Sequence, residues 1–291
     1  DITVRMFGAG KRLSQLVREA MTECSVKMLG AEEFSLSHGA YLNWQKVLGV
    51  ELHPCQSLFY RLRASKDEAE IRSMRRAQAI AEKALDDVLG IIRPGITERD
   101  IAAEISYRML KHGGEGNSFD PIAVTGANSS MPHGVPSDAV VREGDFITMD
   151  FGCRYDGYCS DMTRTVVLGE ASSKQKEIYG IVLKAQMAAL EQICAGKTGS
   201  EVDQVARGLI AEAGYGEYFG HGLGHSVGLF IHEEPRLSPK CHSVLQKNMT
   251  MTVEPGIYIP EFGGVRIEDL VVITEKGCRN LAHSPKELIE L

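Results

Sequence analysis

Two of the acidic residues best placed to do chemistry lie in DFITMDFGCRYDGYCSDMTRTVVL, residues 145–168. Alternating, β-rich runs flank Arg154-Tyr155-Asp156-Gly157, a turn signature, so the stretch reads as a hairpin. With the turn centred between Tyr155 and Asp156, Asp150 falls opposite Asp161. Directly opposed side chains of an antiparallel pair sit roughly 5 Å apart at Cβ. Two like charges that close repel unless something positive lies between them, and a divalent metal supplies it. An Asp that simply faces solvent is the plain alternative. Against it, Asp is depleted from strands, and Asp150 sits inside an apolar run.

A second hairpin, MTMTVEPGIYIPEFGGVRIEDLVVI at residues 249–273, repeats the device. Gly263-Gly264 reads as its bend, and a centre at Glu261 puts Glu254 opposite Glu268. Arg266 lies two residues before Glu268, hence on the same face. Four carboxylates now come from two hairpins. Their oxygens suit hard or borderline divalent ions, manganese ahead of metals that want soft ligands. Bridging carboxylates can hold two such ions about 3.5–4 Å apart.

Histidines supply a third element. GHGLGHSVG at residues 220–228 is followed by HEEP at residues 232–235, giving His221, His225 and His232 within twelve residues. The glycines make a continuous helix improbable, and no Glu follows His221, so this is not an HExxH site. It reads as a glycine-rich turn that delivers imidazoles into a tight space. Loop NSSMPHG, residues 128–134, presents His133 at the surface or in a cleft. A lone loop histidine is ordinarily a solvated one; the place of His133 within a repeated pattern raises its standing.

That pattern comes from the elements that must position these groups. A helix begins near Ser65, Asp67 and Glu68, runs to residue 89 and is stopped by Arg93-Pro94-Gly95. A Gly95-Ile96-Thr97 turn and a helix over 98–111 follow. Further on, a helix over 174–193, a Gly196-Lys197-Thr198 turn and a helix over 201–213 repeat the order. Strands and histidines follow each copy. The arrangement predicts two αβ halves facing each other, a natural place for a central site. Residues 1–63 alternate short pieces: a helix over 12–22, a strand over 24–29, a strand over 50–54 and a helix over 55–63. The chain opens at Asp1 within a strand-like run, and further residues are expected upstream. A domain boundary is placed near residue 64.

Composition narrows the class. Of 291 residues, 43% are hydrophobic and 24% charged, the profile of a folded globular chain. The net charge of −7 argues against a nucleic-acid partner. No run is long enough to span a bilayer. Seven cysteines form no CxxC pair, so neither a zinc ribbon nor a disulfide framework is expected. Reduced thiols and a cytoplasmic location fit best.

In combination, MDFG, SDMTRT, HGLGH, TVEPG and RIED, in this order and at these spacings, resemble the pita-bread metallopeptidases, above all aminopeptidase P and prolidase. The likeness spans residues 65–277. It implies an α+β pita-bread catalytic domain over 64–291 with pseudo-twofold αβ halves. Residues 1–63 would be a partial N-terminal creatinase-like α/β domain. It further implies that Asp150, Asp161, His225, Glu254 and Glu268 bind two divalent metal ions, with manganese favoured and cobalt, zinc or iron as competitors. Glu254 would act as general base on a water shared by the metals. His133 and His232 would contact the substrate and stabilise the tetrahedral intermediate, with His221 in an outer position. Arg266 would orient the carboxylates. The expected activity is hydrolysis of the bond between an N-terminal residue and proline by a homodimeric Xaa-Pro aminopeptidase. The alternatives, in order, are a Xaa-Pro dipeptidase, a methionine aminopeptidase and a non-catalytic peptide-binding module. His221 and the upstream fragment count against methionine aminopeptidase, and the complete ligand set counts against a binding module or a metal-free creatinase.

Overall fold

The computed structural model describes residues 4–291 except Phe7 and Ala9. The strand-like run expected at Asp1 lies outside the described residues. Contacts divide the chain into two compact units, Asp1–Arg63 and Ala64–Leu291. The first contains α1 (Leu13–Glu23), β1 (Leu29–Ala31), α2 (His38–Leu48), β2 (Leu52–Pro54) and the start of α3 (Gln56–Ala64). Strands β1 and β2 pair in parallel, Leu29 beside Leu52, and α2 is the crossover that a parallel pair requires.

The first strand begins later than residue 24. Cys24 caps α1 by donating its N–H to Ala20, and Ser25 has φ of 54°, so the backbone cannot extend there. Helix α2 was not anticipated, although its boundaries carry ordinary signals. Ser37 accepts from the Ala40 N–H at the start, and Gly49, at φ 70°, closes the end.

The second unit opens with α4 (Glu68–Leu89) and α5 (Glu98–Lys111). Next come β3 (Gly116–Asn117), β4 (Ile122–Thr125) and a 3₁₀ turn (Gly126–Ser130). Strands β5 (Phe146–Phe151), β6 (Cys153–Tyr155), β7 (Tyr158–Cys159) and β8 (Met162–Val167) complete the first half. The second half has α6 (Ser173–Gln192), α7 (Gly199–Glu212), β9 (Gly224–Ser226) and β10 (Glu233–Leu237). It ends with β11 (Thr250–Val253), β12 (Gly256–Ile259), β13 (Gly263–Arg266), β14 (Asp269–Ile273) and β15 (Cys278–Asn280).

All four long helices start with reciprocal caps: Asp67 with Glu70, Thr97 with Asp100, Ser172 with Gln175, and Thr198 with Glu201. The halves also repeat at the level of the backbone. Gly95 donates to Val141 at 2.9 Å and Val141 donates to Ile96 at 2.9 Å. Correspondingly, Gly196 donates to Leu245 at 2.9 Å and Leu245 donates to Lys197 at 2.8 Å. Both glycines are left-handed, at φ 89° and 93°, which is why each turn needs one. One apolar cluster packs α4 and α5 on β5 and β8, and a second packs α6 and α7 on β11 and β14.

The first hairpin departs from its expected register. Tyr155 pairs with Tyr158, so Asp156 and Gly157, at φ 52° and 76°, form a two-residue turn. The centre therefore lies one residue further along the chain than expected. Asp150 pairs with Thr163, not Asp161, and Phe151 pairs with Met162. Moving the centre by one residue shifts each partner by two, which preserves the face, so Asp150 and Asp161 are diagonal neighbours on one side. In the second hairpin the chain turns at Glu261, φ 64°, between Ile259 and its partner Gly263. Gly263 and Gly264 are not the bend. They lie in β13, where a Cβ on Gly264 would come within 2.3 Å of the Ser129 carbonyl.

Candidate metal centre

Strand β11 pairs Val253 with Asp269, while β12 pairs Gly256 with Arg266 in the same register. One residue on from Val253–Asp269, Glu254 stands across from Glu268, where the two ladders part. There the backbones bond elsewhere, Glu254 N–H to Leu223 at 2.8 Å and Glu268 N–H to Thr163 at 3.2 Å. The second of these bonds lays the second hairpin against the first, so β5 and β8 bring Asp150 and Asp161 to the same place.

His225 arrives on β9, a strand and not the expected turn. A Cβ on Gly224 would lie 2.0 Å from the Thr252 carbonyl, so glycine here lets β9 close against β11. The Thr252 hydroxyl then serves both sides, accepting from His225 N–H at 2.9 Å and donating to Glu254 Oε1 at 2.8 Å.

Asp150, Asp161, His225, Glu254 and Glu268 all line one cavity of about 410 Å³. Ligand atoms of Asp161, His225 and Glu268 lie within 4.8 Å of one another. Burial, with the Glu268, Asp150 and Glu254 charges added, raises the Asp161 carboxyl well above its usual range. Glu268 is likewise raised, by burial and then by Glu254 and Asp150. Burial also lifts Glu254, to about 7, with the Arg266 guanidinium opposing and Asp150 reinforcing. Four carboxyl groups packed round one arginine therefore resist ionising together unless a cation lies among them.

The donor set fits a cation. Among the described residues, the buried Asp150 Oδ1 and Asp161 Oδ1 have no hydrogen-bond partner. His225 Nδ1 lies 3.1 Å from the Ser226 carbonyl, which can only accept, so Nδ1 carries the proton. Burial and the neighbouring His232 lower the His225 pKa to about 3, leaving Nε2 bare at neutral pH. That bare nitrogen points at Glu254 Oε1, 3.4 Å away, and Asp161 Oδ2, 3.5 Å away. Lone pairs facing lone pairs at these separations are stable only around something positive.

Arg266 organises the rim. Its Nη2 donates to Asp150 Oδ2 at 2.6 Å, its Nε to Thr163 Oγ1 at 3.0 Å, and its Nη1 to Tyr258 at 2.9 Å and Pro132 O at 3.2 Å. The Thr163 hydroxyl in turn donates a hydrogen bond to Glu268 Oε2 at 2.6 Å. Tyr258 was not anticipated. Its hydroxyl, pushed up to about 12 by burial, sits 2.8 Å from His221 Nε2. His221 Nδ1 faces the Gly222 carbonyl at 2.8 Å, so the proton order runs Arg266, Tyr258, His221, Gly222. Both ring nitrogens of His221 are thereby engaged, and burial holds its pKa near 4.

His133 and His232 are exposed and line the same cavity. The His232 ring meets that of His225 edge to face, centroids 4.5 Å apart. Asp203, buried on α7, fixes the segment between His221 and His225. It accepts from Leu223 N–H at 3.0 Å and from Arg207, which in turn donates to the carbonyls of Phe219 and His221. Arg236, on β10, also lines the cavity and was missed, as was Tyr258. The signal for Tyr258 was its place eight residues before Arg266 on the opposing strand; Arg236 had none beyond proximity to HEEP.

The profile of metallopeptidase family M24 matches residues 72–275. A Xaa-Pro dipeptidase of Pyrococcus horikoshii is 44% identical over 265 residues, 91% of this chain and 75% of that protein. Among solved structures, a Xaa-Pro dipeptidase from Bacillus anthracis is 44% identical with a TM-score of 0.94, covering 97% of this chain and 80% of that one. An X-Pro aminopeptidase from Thermotoga maritima is 40% identical with a TM-score of 0.92, again covering 97% and 80%. The architecture is the α+β pita-bread fold.

Proposed function

The chain belongs to metallopeptidase family M24, whose members use divalent metal, and from that premise we propose that it is a Xaa-Pro dipeptidase. The observation that carries this choice is Arg236, a cation lining the same cavity as the carboxylate cluster. Its ion pair with Glu234, at 3.5 Å, is exposed and weak. In a dipeptide the free carboxylate lies one residue beyond the scissile bond, and a guanidinium in the cavity can anchor it in a fork geometry. The dipeptidases of Pyrococcus horikoshii and Bacillus anthracis support the same choice.

Asp150, Asp161, His225, Glu254 and Glu268 would hold two ions, and an oxygen-rich set with one imidazole suits manganese. When bound, the ions supply Lewis acidity, acidifying water and polarising a carbonyl. Glu254 accepts the proton of the attacking water and returns it to the proline nitrogen, which must leave as an amine. His133 and His232 donate to the carbonyl oxygen as charge builds on it. His221 acts through Tyr258, holding the Arg266 fork on Asp150. Residues 1–63 are proposed as part of the N-terminal domain of the same subfamily.

Sequence motifs alone placed the aminopeptidase first, and the likeness to the Thermotoga maritima enzyme keeps it as the second reading. Turnover of a Xaa-Pro dipeptide against a Xaa-Pro-Xaa tripeptide, with manganese supplied, separates the two. Preference for the tripeptide overturns the dipeptidase assignment.

A further inference from the structure

Glu98 is fully buried at the first turn of α5, outside the metal cavity, yet its carboxylate takes four hydrogen bonds from one loop. Oε1 accepts from Thr125 N–H at 2.8 Å and Asn128 Nδ2 at 3.0 Å. Oε2 accepts from Ser137 N–H at 2.9 Å and Ser137 Oγ at 2.6 Å. Thr125 and Asn128 lie on the outgoing arm of the loop, Ser137 on the returning arm, and His133 between them. Among the described residues, backbone bonds tie the returning arm alone to α5: Glu98 N–H to Ala139 at 3.0 Å and Arg99 N–H to Ser137 at 3.2 Å. The carboxylate is therefore the group that joins both arms.

We propose, resting on the peptidase assignment above, that Glu98 is a positioning residue for His133, clamping both arms of its loop so that the imidazole stands over the metal cavity. The other half provides a parallel. Asp203, on the corresponding helix α7, binds Leu223 N–H directly and, through Arg207, the carbonyls of Phe219 and His221. Each half thus uses a buried acid on its second helix to hold its own histidine segment. The clamp also reaches Arg266, since Pro132, within the loop, accepts from its Nη1. An all-acceptor carboxylate is required: glutamine at this position offers one oxygen, and its NH₂ would face the Ser137 or Thr125 N–H.

The test compares Glu98→Gln, His133→Ala and the double variant, each loaded with manganese. A clamp predicts that Glu98→Gln lowers kcat by about 10- to 100-fold, the range a misplaced group costs, while bound manganese is unchanged. In the His133→Ala background the same substitution should cost less than about twofold. Equal losses in both backgrounds would mean that Glu98 acts on the fold and not through His133. Amide hydrogen exchange gives an activity-independent arm: Thr125 and Ser137 should exchange faster in Glu98→Gln, and unchanged exchange refutes the clamp. Should Glu98→Gln fold poorly, Asn128→Ala removes one donor with Glu98 in place, and its kcat loss must likewise vanish in His133→Ala. A wild-type protein that cleaves no Xaa-Pro peptide overturns the peptidase assignment, while the exchange result still decides the clamp.

Discussion

Glu254 and Glu268 face each other across the gap where the β11–β14 and β12–β13 ladders separate. The gap frees both residues from cross-strand pairing; Glu268 is buried and Glu254 half-buried, and both have raised pKa values. Like charges opposed in this way oppose folding until a cation arrives, so the centre links metal occupancy to stability.

Glu268→Gln should therefore act with opposite sign on the two states. In chelated protein, at a pH above the raised Glu268 value, it removes one buried negative charge and keeps the contact with Thr163. Thermal unfolding should shift up by about 2–4 °C for each 1 kcal/mol of relieved repulsion. With manganese present the variant should melt below wild type, because a ligand is gone. A fall in both states would show that the carboxylate is not a source of repulsion.

The pH dependence of that link has a definite direction. Asp161, Glu254 and Glu268 have folded pKa values raised above those of the unfolded chain. Their contribution to stability is complete below pH ~4 and is lost as pH rises through the folded values, about 7 for Glu254. His221 and His225 shift the other way, to about 4 and 3, and their contribution is complete above their unfolded pKa of ~6.5. Between about pH 7 and 8.5 the carboxylates thus dominate. The gap in melting temperature between manganese-loaded and chelated protein should widen across that interval, and calorimetry at the two pH values reads it. A constant gap contradicts the assigned shifts.

Arg266→Lys keeps the charge and loses the fork that reaches Asp150, Thr163 and Tyr258 together. We expect kcat to fall by about 10- to 100-fold, as for a displaced site group, with manganese stoichiometry retained. Steady-state kinetics beside metal analysis checks it; loss of the metal instead would make Arg266 part of the binding set.

Arg236→Met should raise KM for a Xaa-Pro dipeptide by about 10-fold or more, the loss of one charge-assisted contact of roughly 1.5–3 kcal/mol. The same peptide with an amidated C-terminus should show little change, since it lacks the carboxylate. Equal effects on both substrates would remove Arg236 from carboxylate recognition.

Much of this centre was legible along the chain because its parts carry local signals. Acids inside apolar, β-rich runs are costly enough to need a reason, and a bend between two such runs sets which acids meet. The repeated Gly-X-Thr turns likewise announced two halves. Where local signals were weak or divided, the expectation slipped: the first hairpin turns at Asp156-Gly157 and so pairs Asp150 with Thr163. Helix α2 was overlooked despite Ser37 and Gly49.

What the sequence determined, then, is the inventory of candidate ligands and the faces they share, since face depends only on parity along a strand. What tertiary structure decided is everything that depends on distance between hairpins. His225 sits on a strand because Gly224 lets β9 close on Thr252; Tyr258 joins Arg266 to His221; Glu98 reaches a loop that starts 27 residues away. Such contacts follow from how separate ladders pack, and no local period or turn along the chain records that packing.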